Sequence, residues 1–259
     1  MEILAHRGLP FEYPENTLIS FEESLKCGFG IETDIRRTKD NILVLCHDRN
    51  ILRATGVDAT IGESTLKDLK GLSFKYFHKN ANPVSICTLE ELVELYKKYS
   101  NGKKVALHVK VDEATKETLA DIASIIKRKA LSDFFFIFDL TLETAKEFKN
   151  KFPDVHVSIS VGEKKYAPSI YLLEDVKGVE YIDSVWADEW KEKLYFKEFF
   201  EKIKKMGKSA YVISPELHSA QNHPLSVSGY EVLWEELIDW KVAGICTDFP
   251  KRLKGLEFG

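Results

Sequence analysis

The feature that most constrains the fold of this chain is a regular alternation of apolar strand-like runs with amphipathic helical segments. The runs lie at Ile3–Ala5, from Ile31 onward, and at Val105–Val111, Phe134–Leu140, Val155–Val161, Tyr181–Trp186, Ser209–Ser214 and Val242–Thr247. Helices are predicted between the later runs at Glu113–Lys129, Leu142–Phe152, Tyr171–Val176, Phe196–Met206 and Tyr230–Trp240. Eight such units in 259 residues predict an α/β fold, the (β/α)8 barrel. An open doubly wound sheet is the alternative, but the sequence has no Gly-rich nucleotide fingerprint.

The second run is predicted to continue into a β-hairpin. Glu32 and Asp34 are two residues apart and therefore share one face of a strand. The chain turns near Asp40 after only about six residues and returns, which is too short for a parallel crossover and indicates an antiparallel pair. This register places Cys46 opposite Asp34 and brings His47 near both carboxylates. The count of eight barrel strands requires the return arm to be left out.

Residues 49–87 interrupt the alternation with a short amphipathic piece at Leu66–Leu69 among scattered glycines. We therefore predict a small insertion after the hairpin that covers one end of a single barrel domain spanning residues 1–259. A clear helix follows it. Thr88 and Glu91 have the spacing of a capping box at the start of that helix.

Composition excludes several classes of protein. The net charge of −4 gives no basic field for nucleic acid, and no apolar run approaches the ~18 residues of a membrane span. The four cysteines lie far apart, which disfavours a disulfide scaffold or a zinc knuckle. The N-terminus enters a strand without a signal-peptide pattern. A cytoplasmic protein is expected, and nothing in the sequence indicates its oligomeric state.

Polar residues follow the predicted strands at the end where barrels of this type carry their active sites. In strand order they are His6 and Arg7, Glu32 and Asp34, His108 and Lys110, Asp139, Ser160, Trp186 and Asp188, Ser214 and Glu216, and Thr247 and Asp248. Asp248 is equally compatible with a turn and with a ligand. Four histidines outside this pattern are predicted to lie on the surface or in loops: His78, His156, His218 and His223.

The first three strand ends and the hairpin combine the groups that phosphodiester cleavage needs. Arg7 and Lys110 carry positive charge that matches a phosphate. Two neighbouring carboxylates can hold a divalent cation. His6 and His47 can exchange protons near neutral pH. The sequence therefore predicts a small phosphodiester as the substrate.

Several motifs resemble those of the glycerophosphodiester phosphodiesterase family. They are AHRG at 5–8, PENT at 14–17, ETD at 32–34, TKDN at 38–41, HD at 47–48 and GICTDFP at 244–250. The resemblance implies a (β/α)8 barrel with an insertion after the HD pair. It also implies hydrolysis of a glycerophosphodiester to an alcohol and glycerol 3-phosphate, assisted by a divalent metal that is usually calcium or magnesium, within lipid and glycerol metabolism.

The resemblance also implies roles for individual residues, position by position. They are the catalytic pair for His6 and His47, phosphate binding for Arg7, the third-strand lysine for Lys110, positioning for Glu15, and metal binding for Glu32 and Asp34.

Two departures from the family pattern bear on the metal and the substrate. His108 stands where the family normally has a third metal-binding Glu, so the site loses a negative charge, and manganese or zinc becomes a candidate. The seventh strand also differs, with Ile213–His218 in place of the usual tryptophan-threonine pattern. Glu216 in that segment is a candidate for the missing carboxylate.

The first hypothesis is a metal-dependent phosphodiesterase that acts on a small glycerophosphodiester or a glycan-linked analogue, and two alternative functions stay open beside it. One is a phospholipase-D-like lyase that forms a cyclic phosphate. The other is a non-catalytic barrel that binds a phosphate or headgroup after losing its metal.

Overall fold

Eight parallel strands close on themselves in the computed structural model, which describes residues 1–74, 83–99 and 102–257. The strands are β1 (Glu2–His6), β2 (Gly30–Arg37), β3 (Leu43–Leu45), β4 (Cys87–Thr88), β5 (Val105–His108), β6 (Phe135–Phe138), β7 (His156–Gly162), β8 (Ile170–Tyr171), β9 (Ser184–Asp188), β10 (Ser209–Ile213) and β11 (Gly244–Thr247). The α-helices are α1 (Leu18–Lys26), α2 (Leu52–Thr55), α3 (Leu66–Lys70), α4 (Leu89–Lys98), α5 (Lys116–Arg128), α6 (Leu142–Lys151), α7 (Lys197–Lys205), α8 (Tyr230–Asp239) and α9 (Pro250–Glu257). Short 3₁₀-helices occupy Ile61–Glu63, Leu173–Val176 and Pro215–Gln221.

The barrel consists of β1, β2, β5, β6, β7, β9, β10 and β11 in that order. Strand β1 pairs with β2 on one side and with β11 on the other, which closes the sheet. Strand β6 shows why a barrel strand can be apolar throughout: all four of its residues are buried between the barrel interior and the outer helices. The predicted (β/α)8 barrel is confirmed, and closure excludes the open sheet.

Helix α4 illustrates how the outer layer forms. Thr88 and Glu91 make both bonds of the predicted capping box, and the apolar positions of the helix are buried. The helix predicted at Tyr171–Val176 is wrong, because Tyr171 ends β8, which pairs with β7, and only a single 3₁₀ turn follows. Pairing with β7 takes Tyr171 into a strand, so only Leu173–Val176 is left to form a helical turn.

The hairpin has the predicted register. Residues 31–34 of β2 pair with β5 inside the barrel, while residues 35–37 extend beyond it and pair with β3 in antiparallel fashion. The backbone N–H of Cys46 donates to the carbonyl of Asp34 at 3.1 Å. Strand β2 is therefore one long strand whose continuation folds back and carries His47 over the barrel mouth.

The described part of the segment after the hairpin packs against the return arm. Side chains from Ile51, Ile61 and Leu69 are buried in a cluster with Val44 and Cys46. His78 falls within residues 75–82, outside the described part of the chain. All four cysteines are free thiols, as expected. Among the described helices, none has the length and apolar character needed to cross a bilayer.

Candidate active site

The ends of the barrel strands surround a cavity of about 460 Å³ at the mouth of the barrel. It is lined by six of the predicted site residues: His6, Arg7, Glu32, His47, His108 and Lys110. Four further predicted strand-end residues line it as well: Asp139, Ser160, Trp186 and Asp188. A larger groove of about 960 Å³ runs along α1, α4 and α5 on the outer wall. We assign the site to the smaller cavity, because the converging titratable side chains lie there.

The group Glu32, Asp34 and His108 forms a candidate metal site. The three side chains offer ligand atoms that all lie within 4.8 Å of one another. The parallel register of β2 and β5 causes this, because it pairs Asp34 with His108. Glu32 and Asp34 are almost fully buried, at 3% and 1% exposure. Glu32 Oε2 is buried without a hydrogen-bond partner among the described residues, so it is available to a cation.

The surroundings shift the pKa values of these three side chains in different directions. Burial and the neighbouring Asp34 charge raise the pKa of Glu32. Burial acts in the same direction on Asp34, but its hydrogen bond to His108 and the charge of Arg7 prevail and hold its pKa well below the usual range. Burial would lower the pKa of His108, but hydrogen bonds to Asp139 and Asp34 raise it to about 10. Two buried carboxylates side by side favour a bound cation.

The two predicted catalytic histidines are oriented in the same way. His6 Nδ1 lies 2.7 Å from Asp248 Oδ1, and His47 Nδ1 lies 2.7 Å from Asp48 Oδ1. In each ring Nδ1–H donates to a carboxylate, which leaves Nε2 as the atom available for proton transfer. His6 Nε2 lies 3.8 Å from Glu32 Oε2.

The surroundings shift the pKa values of the His6 and His47 imidazoles in opposite directions. Burial and Arg7 lower the pKa of His6, but Asp248 and Glu32 outweigh them and leave it raised. Burial is the main cause that lowers the pKa of His47, and Arg7 and Lys110 add to it. One ring therefore retains its proton more readily than the other, which suits an acid and base pair.

Arg7 is anchored by carboxylates on two sides. Its Nε lies 3.2 Å from Asp34 Oδ2, and its Nη1 lies 3.4 Å from Glu15 Oε1. Glu15 is held in turn by Arg53 Nη2 at 2.7 Å, and Arg53 Nε donates to Asp48 at 2.6 Å. Through Arg53, Glu15 thus connects the guanidinium of Arg7 to the carboxylate that orients His47, and its positioning role stays a prediction.

Lys110 lies just beyond β5, where it faces the same cavity as His108. Its Nζ donates to the backbone carbonyl of His47 at 3.1 Å and lies 3.8 Å from Asp34 Oδ1. The ammonium group therefore joins the hairpin end to the buried carboxylates.

Asn16 is a site residue that the sequence reasoning missed. The PENT motif at 14–17 predicts a helix N-cap at Asn16 or Thr17, and Thr17 takes that position in α1. Asn16 adopts a φ of 55° and is 1% exposed. It donates from Nδ2 to Asp34 Oδ2 at 3.3 Å and accepts a bond of 2.7 Å from Thr33 Oγ1. Its place in the PENT motif, beside Glu15, was the available signal.

Two histidines are more buried than predicted. His218 and His223 are 7% and 4% exposed, so neither lies on the surface, although His223 does lie in a loop after the 3₁₀-helix. His218 Nε2 lies 2.5 Å from Asp188 Oδ1, and His223 Nε2 lies 3.1 Å from Glu189 Oε1. These carboxylate partners are the last residue of β9 and the residue after it, and their approach to residues after β10 depends on the barrel and not on local sequence. His156 is exposed, as predicted.

Glu216 does not join the candidate metal site. Its carboxylate accepts hydrogen bonds from Ser214 Oγ and Thr247 Oγ1, and it lies 3.3 Å from the backbone nitrogen of Asp248. Glu216 therefore supports the segment that holds His6, and the suggestion that it replaces the missing carboxylate is not supported by its contacts.

The cavity lining also includes three residues with polar atoms that are available to a ligand. Trp186 Nε1, Trp190 Nε1 and Gln221 Oε1 are buried and lack a hydrogen-bond partner in the described part of the chain. Two donors and one acceptor match a ligand with hydroxyl groups, because a hydroxyl both donates and accepts.

Comparisons with known proteins agree on one family. The model of the glycerophosphoryl diester phosphodiesterase family matches residues 6–252. A glycerophosphodiester phosphodiesterase of Bacillus altitudinis is 28% identical over 262 residues, which cover 97% of this chain and 96% of the relative. The Bacillus subtilis protein of the same name is 26% identical over 275 residues, and the alignment covers 99% of this chain and 86% of the relative.

Solved structures give the same fold. An Oleispira antarctica phosphodiesterase in complex with the product sn-glycerol-3-phosphate superimposes with a TM-score of 0.77 at 20% identity. The match covers 100% of this chain and 97% of that one.

Proposed function

Because this chain belongs to the glycerophosphoryl diester phosphodiesterase family, we propose that it hydrolyses a small glycerophosphodiester to an alcohol and glycerol 3-phosphate at the cavity described above, with a divalent cation bound by Glu32, Asp34 and His108. Its relatives are phosphoric diester hydrolases. The observation that carries the proposal is the convergence of this metal-ligand group with two histidines and two cationic side chains on one cavity.

The donor set fits a metal ion. Glu32 Oε2 has no hydrogen-bond partner among the described residues, and the like charges of Glu32 and Asp34 need a cation between or beside them. A bound divalent cation polarises a phosphoryl oxygen and stabilises charge that develops on it. Two carboxylates suit calcium or magnesium, whereas the imidazole nitrogen of His108 favours manganese or zinc.

The cationic side chains bind the phosphate. The Arg7 guanidinium keeps its geometry through Asp34 and Glu15, so little conformational freedom is lost when it engages a phosphate oxygen. Lys110 adds a second positive charge from just beyond the end of β5. The attraction between each of these charges and the phosphate becomes stronger when the substrate excludes water from the cavity.

His6 and His47 transfer the protons. Asp248 and Asp48 hold their Nδ1 atoms, so each Nε2 is presented for transfer to or from an oxygen of the diester or of the attacking water. The unpartnered atoms of Trp186, Trp190 and Gln221 bind hydroxyl groups of the glycerol or alcohol part. A cytoplasmic location, with a small phosphodiester as partner, completes the proposal.

The proposal is tested with metal-stripped protein. Glycerophosphocholine, glycerophosphoethanolamine and a generic aryl diester are each supplied with calcium, magnesium, manganese or zinc, and products are followed by ³¹P NMR. Release of glycerol 3-phosphate is the expected result. A cyclic phosphate product would instead identify the lyase, and headgroup binding without turnover under any metal would identify a binding module.

A prediction about the metal arises from the departure at position 108. We expect His108→Glu to shift the ratio of activity with calcium to activity with manganese toward calcium by about tenfold, because a hard carboxylate replaces an imidazole. Steady-state kinetics with each metal measure this ratio. His156→Glu is the control, because His156 is exposed at the start of β7. An unchanged metal profile in His108→Glu would mean that His108 does not bind the metal.

A further inference from the structure

Asp139 lies directly after β6 in a backbone conformation that few residues adopt. Its φ is 73°, in the left-handed region where Asp and Asn are the most tolerated residues after glycine. This conformation directs the carboxylate toward β5, where Oδ2 lies 3.1 Å from His108 Nε2. Ser160 Oγ from β7 donates to the other oxygen of Asp139 at 2.9 Å. Asp139 is therefore held by two neighbouring strands against one nitrogen of His108.

The ring of His108 is fixed on its other sides as well. Its Nδ1 lies 3.0 Å from Asp34 Oδ1, within the candidate metal group. Its face stacks on Phe138 with ring centroids 4.7 Å apart and an interplanar angle of 16°. The two nitrogens consequently have separate surroundings: Nδ1 faces the metal-ligand carboxylates, and Nε2 faces Asp139.

We propose that Asp139 is a positioning residue for the metal site: it accepts Nε2–H from His108 and so fixes the tautomer that presents the Nδ1 lone pair beside Glu32 and Asp34. This inference rests on the proposed function, since it concerns the same metal site. A carboxylate behind a ligating histidine both orients the ring and increases its basicity. His108 stands where the family has a glutamate, so the site lacks one negative charge. Asp139 supplies a negative charge behind His108, at the far end of the hydrogen bond to Nε2.

The same contacts have a competing interpretation. A protonated His108 donating to Asp34 from Nδ1 and to Asp139 from Nε2 would be a partly buried ion triplet that occupies the place of a cation. In that arrangement Nδ1 has no lone pair and binds no metal. The two interpretations differ in whether a nitrogen of His108 is coordinated when the protein is given a metal.

The experiment uses the full chain, Mn²⁺ alone and no substrate. Electron spin-echo envelope modulation (ESEEM) spectroscopy of bound Mn²⁺ should show the hyperfine coupling of a directly coordinated imidazole nitrogen in the wild type. This nitrogen coupling should be absent in His108→Glu. Asp139→Asn should weaken Mn²⁺ binding by about 10–100-fold, measured from the EPR signal of free Mn²⁺. Asn tolerates the left-handed backbone, so this variant removes the charge and keeps the turn.

Asp183→Asn is the matched control. Asp183 also borders a barrel strand and also makes two hydrogen bonds, to Lys149 Nζ at 3.0 Å and to the Val157 backbone at 2.8 Å, but it touches no residue of the metal group. Its Mn²⁺ affinity should equal that of the wild type, and circular dichroism verifies that both variants fold.

The outcomes separate this inference from the proposed function. Asp139→Asn that binds Mn²⁺ as tightly as the wild type overturns the role of Asp139 and leaves the metal site intact. Wild-type protein that binds Mn²⁺ without nitrogen coupling overturns the role of Asp139 and removes His108 from the ligands, while Glu32 and Asp34 remain. Wild-type protein that binds no Mn²⁺ overturns both the role of Asp139 and the proposed metal site.

Discussion

Replacement of His47 by Ala is expected to lower kcat by about 10²–10⁴-fold while the fold is retained, because general acid–base catalysis contributes about that much. The fold should survive because the backbone of His47 is anchored independently of its ring. Its carbonyl accepts hydrogen bonds from Arg36 Nη2 at 2.8 Å and from Lys110 Nζ at 3.1 Å. The hairpin end thus keeps its place while the proton-transfer group is removed.

The measurement combines steady-state kinetics with a thermal melt. The variant should melt close to the wild type, and added imidazole should restore part of its activity by occupying the vacated volume. His156→Ala is the control, since His156 is exposed and distant from the cavity lining, and it should change neither quantity. Wild-type turnover in His47→Ala would exclude His47 from the reaction.

The parts of the fold that could be predicted are those that local chemistry determines. The apolar runs identified the barrel strands because most of these strands are buried on both faces and therefore largely apolar. The hairpin register followed from a short turn, and it correctly placed Cys46 opposite Asp34. Once Glu32 and Asp34 share a face and β5 is the next barrel strand, the approach of His108 follows from parallel pairing.

The contacts that could not be predicted depend on closure of the barrel or on unusual backbone angles. Asp248 orients His6 across 242 positions of sequence, and only the pairing of β1 with β11 brings them together. Asn16 reaches Asp34 from a left-handed conformation. No periodicity in the sequence encodes either relation.

The burial of the two histidine–carboxylate pairs beside β9 could not be predicted for the same reason. His218 and His223 each find a carboxylate about 30 or more residues away in the chain, and burial of a histidine is acceptable only with such a partner. A single sequence displays the histidine and the acid but not their distance. Burial of these two side chains was therefore underestimated.

The second large effect is expected for Glu32→Gln, which should abolish metal binding and reduce turnover by about 10³-fold, because the electrostatic contribution of a catalytic cation is several kcal/mol. The same variant should be at least as stable as the wild type when both are free of metal. Glu32 is 3% exposed and its Oε2 has no partner among the described residues, so its ionised form is costly in the absence of a cation. A residue that is unfavourable for folding alone and essential for activity is typical of a functional site.

Thermal melts with and without metal test both halves of this prediction. A saturating cation should raise the melting temperature of the wild type, since a ligand at about 100 times its Kd contributes ~2.7 kcal/mol, and chelation should reverse this rise. Glu32→Gln should melt at one temperature under both conditions. Glu216→Gln is the control, because it changes another buried carboxyl that lies outside the metal group, and its melting temperature should still respond to metal. A metal-dependent rise that persists in Glu32→Gln, together with retained turnover, would remove Glu32 from the metal site; loss of the rise in Glu216→Gln would instead place Glu216 there.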